Sequence, residues 1–203
     1  MSTETTVVPP KSVLQRVGQS RLGTLLVLAV TAAVVIGGVY LVNGPANAKS
    51  GVQAVKLGPS NVPAPVVGKA AQDFSATTVD GKKVSLSSFK GRSVWLTFGA
   101  SWCGDCQAEA PDIEAAYKKH LAEGVVVLAI SINESSETAL DYGKRIGLTY
   151  PQVADTTETI SGAYRVNGIP AHFFIDKSGI LRATKVGGLS PEKMDAALKE
   201  ITR

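Results

Sequence analysis

The feature that most limits how this chain can fold is a junction. The apolar, β-rich run Ser93–Ala100 (SVWLTFGA) passes through Ser101-Trp102 into Cys103-Gly104-Asp105-Cys106, after which the spacing turns helical. An uninterrupted apolar run suits a central strand buried on both faces. Ala110, Ile113, Tyr117 and Leu121 then recur every three or four residues, which places them on one face of a helix over Gly104–Leu121. Pro111 inside that helix predicts a kink. Cys103 therefore stands where a buried strand ends and a helix begins, a place where backbone N–H groups and the helix dipole favour an anion such as a thiolate.

The remaining segments extend this unit. Phe74–Val79 and Lys83–Leu86 flank Asp80-Gly81, a two-residue hairpin signal. Val125–Ser131 reads as a second buried strand and Glu137–Ile146 as a second helix closed by Gly147. Thr157–Tyr164 suits a short third helix, and Ala171–Asp176 and Ile180–Val186 form a hairpin across Lys177-Ser178-Gly179. Ser190 as cap, Pro191 at the first helical position, and Met194, Ala197, Leu198 and Ile201 on one face mark the last helix. The pattern predicts an α/β fold with a mixed central sheet and helices on both faces.

Upstream, Leu22–Val42 is uncharged and mainly apolar, long enough to cross a bilayer as a helix. Lys11, Arg16 and Arg21 precede it and Lys49 and Lys56 follow, so the positive-inside rule favours a cytoplasmic tail over residues 1–21. Ala46-Asn47-Ala48 resembles a signal-peptidase site, but the apolar run exceeds the 7–15 residues of a signal core, which favours a retained anchor. Residues 43–71, rich in Gly, Pro, Ala, Ser and Val, read as a flexible linker, and residues 72–203 as the folded domain. Lys69–Arg203 holds sixteen basic and sixteen acidic residues, whereas Met1–Gly68 holds five and one. A domain without net charge offers no electrostatic reason to bind nucleic acid.

The two cysteines are the only ones in the chain. Outside the cytoplasm a lone close pair reads as a working redox couple, because a disulfide closing so small a loop removes little chain entropy. Zinc is the competing reading. His120 follows Cys106 at near zinc-finger distance, but His172 comes far too late to complete the ligand set. His120 is expected to be a solvated helix-end residue, and His172 a strand residue near the cysteines. Cys106, one turn inside the helix, is expected to be the less accessible sulfur. Cys103 then attacks and Cys106 resolves.

Phe98-Gly99-Ala100-Ser101-Trp102-Cys103-Gly104-Asp105-Cys106, with Gly168-Ile169-Pro170 before a later strand, resembles thioredoxin. More narrowly, residues 67–203 resemble the TlpA, ResA and DsbE group of membrane-anchored, extracytoplasmic redox proteins. The resemblance implies a thioredoxin-like fold with an N-terminal hairpin extension. It implies a cis-proline at Pro170, and a substrate groove shaped by Trp102, Ile169 and Pro170. It also implies that Glu109 handles protons beside the cysteines, where the bland alternative is a solvated carboxylate. No cofactor or metal is implied. The partners are protein thiols and disulfides, among them the haem-attachment cysteines of apocytochrome c, and a membrane protein that supplies electrons. Asp105 stands where the group often has Pro, and a carboxylate beside Cys103 opposes its thiolate, which leans towards reduction. Gln72 replaces a usual Pro, with little expected consequence. A disulfide oxidant or isomerase is the alternative. A redoxin-type peroxidase lacks its Thr-x-x-Cys context here, and a copper chaperone needs a wider cysteine spacing.

Overall fold

The computed structural model describes residues 21–43, 53–55 and 60–203. The chain divides into two compact units, Met1–Lys49 and Ser50–Arg203. In the first, helix α1 (Arg21–Asn43) coincides with the apolar run. Leu25, Leu28, Val34 and Ile36 are all more than half exposed on it. Among the described residues no helix is long and apolar enough to cross a membrane. The tail before Arg21 and Ala46-Asn47-Ala48 lie outside the described residues.

The second unit is built on a five-stranded mixed sheet, as the pattern predicts. Its strands are β4 (Val94–Gly99), β5 (Val126–Ile132), β6 (Gln152–Asp155), β8 (Ala171–Ile175) and β9 (Leu181–Val186), in the order β6-β5-β4-β8-β9. β4 pairs parallel with β5 and antiparallel with β8, which makes it the central strand. Successive residues point to opposite faces. Leu96 and Phe98 join one core with Leu128, Ile130, Tyr164 and Phe173. Trp95 joins the other with Ile113, Phe174, Met194, Leu198 and Ile201, which come largely from helices α2 (Gly104–His120) and α5 (Pro191–Thr202). Leu121, expected on the buried face of α2, is exposed, because the helix gives way to a 3₁₀ turn at Leu121–Glu123. Ser190 occupies the cap position of α5 but its side chain makes no capping bond to the backbone.

β6 is a strand that the sequence pattern does not announce. It has four residues and begins and ends on polar Gln152 and Asp155, so it carries no apolar run. Its outer edge is covered by the hairpin of β2 (Ser75–Thr77) and β3 (Lys83–Ser85), through a bridge between Thr78 and Val153 and a bond from Val79 N–H to the Gln152 carbonyl of 2.8 Å. Gly81 makes the hairpin turn at φ +89°. Asp155 then accepts from the N–H groups of Ile160 and Ser161, at 3.2 and 2.8 Å, and so opens helix α4 (Thr159–Ala163), shorter than expected. Helix α3 (Ser136–Ile146) closes on Gly147 at φ +75°, as expected.

Part of the stretch that composition reads as a linker is folded onto this unit. Gly68 N–H donates to the Leu181 carbonyl at 2.8 Å and Ala71 N–H to that of Gly179 at 2.9 Å. Farther back, β1 (Gln53–Ala54) pairs antiparallel with β7 (Gly168–Ile169). Backbone pairing of this kind needs no side-chain pattern, so composition does not reveal it.

Candidate active site

Cys103 occupies the N-cap of α2 with extended backbone angles (φ −89°, ψ 113°), and its sulfur accepts the Cys106 N–H at 3.2 Å. The two cysteines are joined as a disulfide, their Cα atoms 5.2 Å apart. A sulfur at a helix N-terminus, with a backbone N–H aimed at it, is stabilised as a thiolate once the disulfide opens. Gly99 allows this packing: a Cβ there would lie 3.3 Å from Cys106 Sγ.

The loop entering α2 is clamped by Glu134, which no motif singles out. Both its carboxylate oxygens accept the Ser101 N–H at 3.0 Å, and one also accepts the Ser101 hydroxyl. Glu134 follows β5, and the parallel pairing of β5 with β4 brings the two strand ends side by side. Only that topology could have pointed to it.

The order of accessibility is the reverse of the one expected. Cys103 is 0% exposed and Cys106 8%. Position in the helix ignores what packs from outside. Cys103 belongs to the core cluster that includes Ile169, with Val55 packed against it. The Ile169–Pro170 bond is cis, and both residues are buried. Gln53 pairs with Ile169, Ala54 with Gly168, and Val55 N–H donates to the Asn167 carbonyl at 3.1 Å, so this edge is already occupied by the chain itself. Trp102 stands 49% exposed and Asp105 is exposed.

Glu109 is not a solvated carboxylate: it is 6% exposed. Oε2 accepts the Leu189 N–H at 3.1 Å, and Oε1 lies 3.4 Å from His172 Nε2. Glu109 and Cys106 line one cavity of about 40 Å³, together with Gly99, Tyr142 and Gln152. Burial pushes the Tyr142 phenol up, so its hydroxyl stays neutral in that cavity. His172 is fully buried, and its Nδ1 faces the indole N–H of Trp95 at 3.3 Å. His120, expected to be solvated, is also buried, held by Asp195 at 2.8 Å, because α5 packs over the end of α2. Among the described residues no cluster of His, Cys, Asp and Glu could hold a metal ion. The arrangement can perform thiol–disulfide exchange: a sulfur favoured as an anion, a second sulfur beside it, and a carboxylate within the same cavity.

The pattern of the AhpC/TSA family matches residues 67–184. The thiol-disulfide oxidoreductase ResA of Bacillus thuringiensis (strain Al Hakam) is 33% identical over 136 residues, 67% of this chain and 79% of that protein. A thiol:disulfide interchange protein of the thioredoxin family from Chlorobium tepidum superposes with a TM-score of 0.62 at 32% identity, covering 69% of this chain and all of that one. A second Chlorobium tepidum structure, described as a thiol:disulfide interchange protein DsbE, gives 0.65 at 26% identity with the same coverage. With the cysteine pair at the strand–helix junction of a thioredoxin-like fold, these likenesses place the chain in the AhpC/TSA family, as a redoxin-domain protein-disulfide oxidoreductase related to ResA and DsbE.

Proposed function

We propose that this protein is an extracytoplasmic reductant of protein disulfides, held to the cytoplasmic membrane by residues 22–42 with residues 1–21 in the cytoplasm. The observation that carries this reading is the Cys103 sulfur at the N-terminus of α2, accepting the Cys106 N–H and packed in one core cluster with Ile169. In the dithiol form the Cys103 thiolate attacks a substrate disulfide. That S–S bond breaks, one substrate thiolate leaves, and Cys103 is joined to the substrate. Cys106 then passes its proton to the Glu109 carboxylate and attacks Cys103 Sγ. The Cys103–Cys106 disulfide forms and the second substrate thiolate leaves, two electrons having passed to the substrate. A membrane electron donor restores the dithiol. The haem-attachment cysteine pair of apocytochrome c fits as substrate, since it must be kept reduced. Trp102, Ile169 and Pro170 form the groove that receives the substrate chain.

The exposed Asp105 carboxylate supports the direction. It opposes the neighbouring Cys103 thiolate and so disfavours the reduced form relative to a strong oxidant. The reduction potential tests this. A value of about −200 mV or lower is expected, and one near −120 mV contradicts a reductant.

The substrate must also displace Gln53–Val55 from the backbone edge beside Pro170. Val55→Pro removes the N–H that donates to Asn167. One hydrogen bond of about 1 kcal/mol lost from the closed edge lowers the KM for a protein disulfide by about fivefold. An unchanged or higher KM would show that the segment does not compete.

A further inference from the structure

We propose that His172 is a positioning residue for the resolving step: together with Trp95 it fixes an imidazole N–H on the Glu109 carboxylate, which shares a cavity with Cys106. The inference rests on the reading of Glu109 as the group that takes the Cys106 proton.

The tautomer follows from the partners. An indole N–H can only donate, so the Trp95 N–H, 3.3 Å from His172 Nδ1, requires a lone pair at that nitrogen. A neutral imidazole carries a single N–H, which must then be on Nε2. Nε2 lies 3.4 Å from Glu109 Oε1 and makes no aligned hydrogen bond among the described residues. A fully buried N–H without a partner is rare. Here the acceptor it faces is the carboxylate oxygen not taken up by the Leu189 N–H. The two donors therefore meet different oxygens, which holds the plane of the carboxylate across the cavity shared with Cys106.

The ring itself has little freedom. Trp95 is fully buried and stacks on Phe174 with centroids 5.2 Å apart, and its centroid lies 5.8 Å from that of His172. His172 pairs with Thr97 on β4 and with Lys185 on β9, so its backbone is fixed on both sides. Neither Trp95 nor His172 lines the cavity that holds Cys106. Their influence on the sulfur runs through Glu109.

Rapid mixing of the full-length reduced protein with a disulfide substrate separates the two steps, formation of the mixed disulfide at Cys103 and its decay by Cys106. His172→Leu leaves formation unchanged and slows decay by roughly tenfold or more, because the carboxylate is no longer held in place across the cavity it shares with Cys106. His172→Gln, which keeps a side-chain N–H, restores most of the decay rate. Trp95→Phe removes the donor that sets the tautomer and slows decay in the same sense, which provides a second route should His172→Leu fold poorly. Added to Glu109→Gln, His172→Leu has no further effect. If both steps slow equally, or if the effects of Glu109→Gln and His172→Leu multiply, His172 does not act through Glu109 and the proposal is overturned. If Glu109→Gln alone leaves decay unchanged, it is the reading of Glu109 that fails.

Discussion

Cys103→Ser reduces disulfide exchange to the uncatalysed background, whereas Cys106→Ser preserves the first encounter and stops turnover after it. The asymmetry comes from the place of each sulfur in α2. Cys103 caps the helix and accepts the Cys106 N–H at 3.2 Å, so its thiolate is stabilised by a donor and by the helix dipole. A serine hydroxyl in the same place is not ionised near neutrality and forms no mixed disulfide. Cys106, the disulfide partner of Cys103, attacks Cys103 Sγ in the mixed disulfide and so acts only after the first exchange. Stopped-flow measurement of the first turnover, beside steady-state rates, checks both halves. First-turnover reactivity remaining in Cys103→Ser contradicts the assignment.

Phe98→Ala costs about 3–5 kcal/mol of folding stability. Phe98 lies on the central strand, fully buried, with ring centroids 5.4 Å from Phe173 and 5.5 Å from Tyr164. Phe173 and Tyr164 meet edge to face at 4.9 Å, so a truncation at Phe98 opens a cavity among rings that cannot easily collapse. For a domain of this size the melting temperature falls by roughly 10 °C or more. Thermal denaturation followed by near-UV dichroism measures it. A loss under about 1 kcal/mol would mean that the ring cluster repacks.

These two residues also show how much the sequence carries. The β-rich run that contains Phe98, and its passage into Cys103 and a helix, is a long signal with one interpretation, and β4, β5, α2, α3 and α5 all lie where their spacing puts them. Features that depend on distant segments are silent. β6 is too short and too polar to show a period. Glu134 and His120 gain their roles only because strand order and helix packing bring Ser101 and Asp195 to them. The closed backbone edge at Gly168–Ile169 has the same origin, since β1 arrives from a stretch whose composition reads as a linker. Glu109 and His172 lie sixty-odd residues apart by number, and only the antiparallel pairing of β8 with β4 brings the imidazole under α2. The resemblance to the ResA and DsbE group could point to Glu109 but not to the ring behind it.

The most direct test is to purify the full-length Cys106→Ala variant in reduced form, expose it to a mixture of disulfide-bonded proteins, and map by mass spectrometry the cysteine that carries captured protein. Mixed disulfides on Cys103, released by a small thiol, are the expected result. No capture by this variant, together with capture through Cys106 in Cys103→Ala, would contradict Cys103 as the attacking sulfur.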